Sequence, residues 1–118
     1  VSLARVDTRP RRQNSRRADE ERRFPVHLQW LRGRPCAVAQ SGGCAGKIEA
    51  AHVDHAGGKG IALKVSDRHA IPLCHEHHRE QHQHGWMTFE AKHRLDATAA
   101  AAAYARVSPH RAKWELPR

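Results

Sequence analysis

Three cysteines and eight of the eleven histidines lie between Cys36 and His84. They run Cys36-x7-Cys44, then His52-Val53-Asp54-His55, then Cys74-x2-His77-His78-x3-His82. Thiolate and imidazole suit zinc and its neighbours, and structural zinc takes four such ligands in a tetrahedron. Cys74-x2-His77 has the close-pair spacing of these sites, while Cys36-x7-Cys44 is wider than the usual knuckle. Cys36, Cys44, Cys74 and His77 are therefore expected to hold a structural Zn2+. An odd cysteine count speaks against a complete disulfide framework and suits a reducing compartment. The expected location is cytoplasmic.

A second group lies on the same segment. His78 and His82 are four apart, hence one turn apart on one helix face. His77 is rotated from His78 by about 100° at 3.6 residues per turn. One helix can thus aim His77 at zinc and His78 and His82 at a second, catalytic cation, Mg2+ or another divalent ion. His52 stands among the small residues Ala50 and Ala51. Phosphodiester hydrolysis needs an in-line water, a base to deprotonate it and a cation for the developing charge. A strand histidine facing a helical ligand pair supplies the base. Asp54 and His55 are loop candidates for further metal ligands or phosphate contacts. Gly57-Gly58-Lys59-Gly60 lacks the spacing and the Ser/Thr of a phosphate-binding Walker loop. It would let a phosphate backbone approach, with Lys59 as a contact. His75 and His84 read as solvated.

The elements that must position these groups follow from periodicity and breakers. A short helix is expected over Val26–Arg32, ended by Gly33 and Pro35. Cys36–Gly46 reads as a loop, and Lys47–Val53 as a strand in which Ile48, Ala50 and His52 alternate with Glu49, Ala51 and Val53. Ile61–Val65 is expected as a second strand, forming a hairpin with a long loop. Ala70–Leu73 reads as extended, because Pro72 disfavours helix before it. His75–His84 is expected as a helix stopped by Gly85. Trp86–His93 follows as helix with Trp86, Phe89 and Met87 facing the core. Leu95–Arg106 is an alanine-rich helix. The chain thus divides into an arm (1–25), a folded domain (26–106) and a tail (107–118). No apolar run is long enough for a membrane span, and no signal-peptide core is visible.

The charge is unevenly placed. Residues 1–34 hold ten arginines against four acids, residues 92–118 six Lys/Arg against two, and residues 35–91 five against six. Basic flanks around a balanced, histidine-rich centre suit a polyanion, because each neutralised phosphate releases counterion. DNA, or RNA, is the expected partner, with Arg11, Arg12, Arg16 and Arg17 as contacts. With 118 residues and a mean hydropathy of -0.80 the core is small, and a metal staple adds stability that such a core lacks.

Leu73-Cys74-x2-His77-His78-x3-His82 resembles the L-C-x2-C-H-x3-H helix of the HNH nucleases of the ββα-metal fold, with His77 in place of the usual cysteine. Ala50-Ala51-His52, Gly58-Lys59-Gly60, Asp67, Ile71-Pro72-Leu73-Cys74 and Gly85 look closest to the small phage-associated branch. The likeness covers roughly residues 28–106. It implies an α+β fold: a zinc-stapled ββα-metal (HNH) core with a basic N-terminal arm and C-terminal helices. It implies metal-dependent endonucleolytic cleavage, with His52 as general base and His78 and His82 on the cation. Many members carry a metal-binding acid just before the base, where this chain has Ala51, so Asp54 or His55 would substitute. The family's central asparagine corresponds to His69, which would orient the base, with Asp67 as the alternative. Without catalysis, the same features describe a zinc-dependent nucleic-acid-binding module.

Overall fold

A computed structural model describes residues 22–57 and 65–115. Helix α1 (Pro25–Arg32) opens with proline, whose fixed φ and missing N–H suit a first helical turn. A 3-10 turn (Ala39–Ser41) interrupts the loop that carries Cys36 and Cys44. Strand β1 (Ile48–His52) pairs antiparallel with β2 (Ala70–Cys74), from Ile48 opposite Cys74 to His52 opposite Ala70. Helices α2 (His75–His93), α3 (Ala97–Val107) and α4 (Ala112–Glu115) follow. Among the described residues the molecule is an α+β protein with a two-stranded sheet and helices.

Among the described residues β1 has one partner, and the expected strand Ile61–Val65 falls almost wholly outside them. That partner is Ala70–Cys74, with Pro72 at its centre. The register explains why proline is tolerated. Val53 N–H donates to His69 C=O at 2.8 Å. Antiparallel pairs alternate, which places Ala50 opposite Pro72 in a non-hydrogen-bonded pair, so the missing N–H faces away from β1. The Pro72 carbonyl points outward as well and accepts from Ala37 N–H at 2.7 Å, tying the cysteine loop to the sheet. Helices α1, α2 and α3 all contact β2, so its five residues are buried.

Cys74 ends β2 and caps α2, its sulfur accepting from His77 N–H at 3.4 Å. Gly85, at φ 84° and ψ 160°, breaks the helical path and separates the histidine-bearing half of α2 from the half that builds the core. There Trp86 and Phe89 pack with Val38, Ala51, Val53, Ile71, Leu73, Ala97 and Ala101. Met87, expected in the core, is 85 % exposed, because the turn after Gly85 gives the inner face to its neighbours Trp86 and Phe89. Asp96 caps α3 by accepting from Ala99 N–H at 3.0 Å, as an N-cap carboxylate does. None of the described helices is long and apolar enough to cross a membrane.

Candidate functional site

One loop, one strand and one helix deliver the first cluster. Cys36 follows α1, Cys44 lies on the glycine-rich loop, Cys74 ends β2 and His77 sits one turn into α2. Their ligand atoms all lie within 4.8 Å of one another. His77 Nδ1 stands 3.5 Å from Cys36 Sγ, 3.6 Å from Cys44 Sγ and 3.2 Å from Cys74 Sγ. Zinc bonds of about 2.3 Å to sulfur and about 2.0 Å to nitrogen, at a tetrahedral angle, put N and S about 3.6 Å apart. The cluster has the donors and the spacing to hold a metal such as zinc, and all three cysteines are unpaired thiols.

The electrostatics point the same way. Desolvation, reinforced by the neighbouring Cys74 and Cys36 thiols, pushes Cys44 up to about 11. Burial works against the Cys74 thiolate, but the N–H groups of His77 and Ala45 and the Cys44 and Cys36 thiols outweigh it and lower its pKa. Three crowded sulfurs resist joint ionisation until a cation neutralises them. Behind His77 stands a polar network. His93 donates to Glu80 at 2.9 Å and bonds Ser41 Oγ at 2.7 Å, and Lys92 pairs with Glu80. The hydrogen bond from Lys92, helped by His93, draws Glu80 down to about 2.

The second cluster lies on the first half of α2. His78 Nε2 and His82 Nε2 approach to 3.1 Å, as the i, i+4 spacing requires. Glu49 on β1 is the residue that the sequence did not reveal. Its carboxylate accepts from His78 Nδ1 at 2.7 Å and from His75 Nδ1 at 2.8 Å, which fixes the His78 ring and frees its Nε2. Those two hydrogen bonds, His75 first, lower the Glu49 pKa. His75 is exposed, as expected, and also partners Glu49. Among the described residues, no third His, Cys, Asp or Glu completes a cluster with His78 and His82 within 4.8 Å.

His52 ends β1, and its Nε2 donates to Asp67 Oδ1 at 2.8 Å. Asp67 Oδ2 accepts from Phe24 N–H at 2.7 Å, so the carboxylate is itself fixed. Asp67, not His69, meets the strand histidine. His69 gives its carbonyl to Val53, and burial together with Arg68 lowers its pKa. Asp54 and His55 do not join the helical pair. Asp54 is exposed on a 3-10 turn (Asp54–Gly57), while His55 stands 3.6 Å from Glu90 with its ring edge-on to Trp86. That turn carries His55 toward the far half of α2. His84 is exposed, as expected. Lys59, Arg11, Arg12, Arg16 and Arg17 lie outside the described residues.

Fold and site together define a small α+β protein built on a Cys3His ligand cluster beside a carboxylate-oriented histidine array. The chain belongs to the DUF968 family, described as a protein of unknown function, whose model matches residues 4–105. No curated protein and no solved structure matches it.

Proposed function

We propose that this protein is a metal-dependent endonuclease of the HNH type, hydrolysing phosphodiester bonds in DNA from a zinc-stapled ββα-metal core. The observation that carries the reading is a histidine pair and a separate strand histidine, each oriented by its own carboxylate. Glu49 fixes His78 beside His82, and Asp67 fixes His52. Carboxylates are placed behind histidines where a metal ligand or a base must keep one tautomer and one orientation. A histidine on a merely solvated face needs no such partner.

In this reading Asp67 holds the His52 Nε2–H and leaves Nδ1 to accept a proton from water. The side chain of His52 is 36 % exposed, so solvent and substrate reach it. His78 and His82 would hold the divalent cation, which would supply positive charge to the phosphoryl oxygens. Two imidazole nitrogens suit a transition metal better than Mg2+, which prefers oxygen donors. Cleavage is therefore expected to be stronger with Co2+ or Ni2+ than with Mg2+. Zinc in the Cys3His cluster serves folding.

A second reading is a zinc-dependent nucleic-acid-binding module without catalysis. Two observations favour it: the His78–His82 pair has no third ligand among the described residues, and strand alternation sets His52 on the opposite face of β1 from Glu49. Plasmid nicking separates the two. His52→Ala is expected to lower the cleavage rate by about 10²–10⁴-fold with zinc content unchanged, the contribution of a positioned general base. Full activity in that variant would remove His52 from the mechanism. Plasmid binding with no cleavage under any divalent cation would leave the binding module.

A further inference from the structure

We propose that the groove beside His69 is a subsite for one unpaired nucleotide, holding its phosphate on Arg68 and Arg106 and its base on Trp114. It deepens the nucleic-acid reading above and rests on it. The groove is a cavity of about 320 Å³, lined by Arg68 and His69 from the chain before β2, by Ala102, Ala105 and Arg106 of α3, and by Trp114 and Glu115 of α4. That size sits at the low end of small-ligand pockets, which run from about 300 to 1,000 Å³.

Each lining residue has a reason to be there. Arg68 and His69 follow Asp67, the carboxylate that holds His52, so the groove opens beside the proposed base. Among the described residues neither the Arg68 nor the Arg106 guanidinium has an acidic partner, whereas Glu115, which also lines the groove, pairs with Arg111 at 3.6 Å. Two guanidinium groups against one carboxylate, itself paired with Arg111, leave the groove a positive excess that favours an anion, and a phosphate accepts their planar N–H forks. Trp114 is braced from behind by edge contacts with Phe24 at 5.1 Å and His27 at 4.9 Å. A braced, half-buried indole beside paired cations is the arrangement on which unpaired bases stack in single-strand-binding grooves. The alanines of α3 leave the volume that larger side chains would fill. A base stacked inside a duplex cannot reach an indole in a groove, so the occupant is an unpaired nucleotide.

The test measures binding of the full zinc-loaded chain carrying His52→Ala, without added catalytic cation. The probes are a fluorescent ten-nucleotide thymidine strand, the same strand with one abasic position, and a duplex of equal length. Trp114→Ala is expected to weaken the single strand about five- to hundredfold, the loss expected for one base–aromatic stack, and to leave the duplex within about twofold. Trp114→Phe keeps the ring and the packing and should stay within about threefold of the parent on every probe. Arg68→Gln and Arg106→Gln, both on the surface, should each reduce the slope of log affinity against log salt for the single strand, and the double variant by about 0.7, the value of one single-strand phosphate. Equal losses on single strand and duplex would overturn the subsite, as would an abasic strand that shows the full Trp114 effect. These readouts do not depend on cleavage. If His52→Ala fails to abolish nicking while the Trp114 effect holds, the subsite stands and the base assignment falls; the reverse pattern removes the subsite alone.

Discussion

At the scale of single residues, two substitutions separate the two clusters. Cys74 is both a proposed zinc ligand and the cap of α2, with its sulfur 3.2 Å from His77 Nδ1 and 3.4 Å from His77 N. Cys74→Ser is expected to lower zinc content and abolish cooperative unfolding, because ligand loss removes metal-binding energy that is also folding energy. Zinc analysis and chemical denaturation check it; a metal-free variant that unfolds as sharply as the parent would show the metal to be dispensable. Glu49→Gln leaves the zinc cluster untouched and removes the carboxylate from His78 and His75. It should weaken cation binding at the helical pair by about 10–100-fold, the usual cost of losing an outer-shell partner. Titration with Co2+ of the zinc-loaded protein reads this directly, and an unchanged affinity would show that Glu49 does not orient His78.

At the scale of elements, the loop that carries Cys44 is held by backbone geometry. Gly42, Gly43 and Gly46 all have positive φ, but only Gly46 is also crowded: a Cβ there would lie 2.6 Å from His75 Cβ. Gly46→Ala should cost more than Gly43→Ala, whose site has nothing within 4 Å. Gly43→Ala carries only the strain of a left-handed residue, about 1–2 kcal/mol. The extra loss in Gly46→Ala, read as a lower thermal midpoint, reports how tightly the loop packs on α2. Equal midpoints would mean that the loop moves aside. This loop also explains what was legible in the sequence. The close pair Cys74-x2-His77 showed itself, since one strand–helix junction fixes both residues. Cys36-x7-Cys44 did not have a knuckle spacing, because a 3-10 turn and positive-φ glycines bring the two thiols together instead. The helices α1, α2 and α3 and the break at Gly85 followed from proline, glycine and apolar period. The pairing of β1 with Ala70–Cys74 was hidden by Pro72, whose harmlessness depends on register. Glu49 was hidden because a strand carboxylate becomes informative only once α2 is laid beside it. For the same reason the turn that carries His55 to Glu90 and Trp86 could not be read in advance.

At the scale of the whole molecule, the ends of the fold are joined by a buried histidine that no motif marks. His27 on α1 is fully buried, stacked on Trp30 at 5.7 Å and edge-on to Trp114 at 4.9 Å. Its Nδ1 bonds Ser108 Oγ at 2.9 Å, just beyond α3, while its Nε2 has no hydrogen-bond partner among the described residues. Burial, aided by nearby His110 and opposed by Asp67, lowers its pKa from 6.5 to about 4. The sign follows from linkage: below the unfolded value of about 6.5 the unfolded chain takes up the proton first, so stability falls with pH. It is fully present above about pH 6.5, declines through the window down to about pH 4, and is level below it. One proton over that window is worth on the order of 3 kcal/mol at 1.36 kcal/mol per unit. The zinc cluster and the carboxylates also respond to acid, so the measurement is a difference. Guanidinium unfolding of the parent and of His27→Phe is followed at pH 7, 6 and 5. The gap between their stabilities should close, or reverse in favour of the variant, as the pH falls, because the variant loses the Ser108 bond at every pH but has no proton to exclude. Stability curves that run parallel across the window would show that His27 does not couple the packing of α1, α3 and α4 to acid.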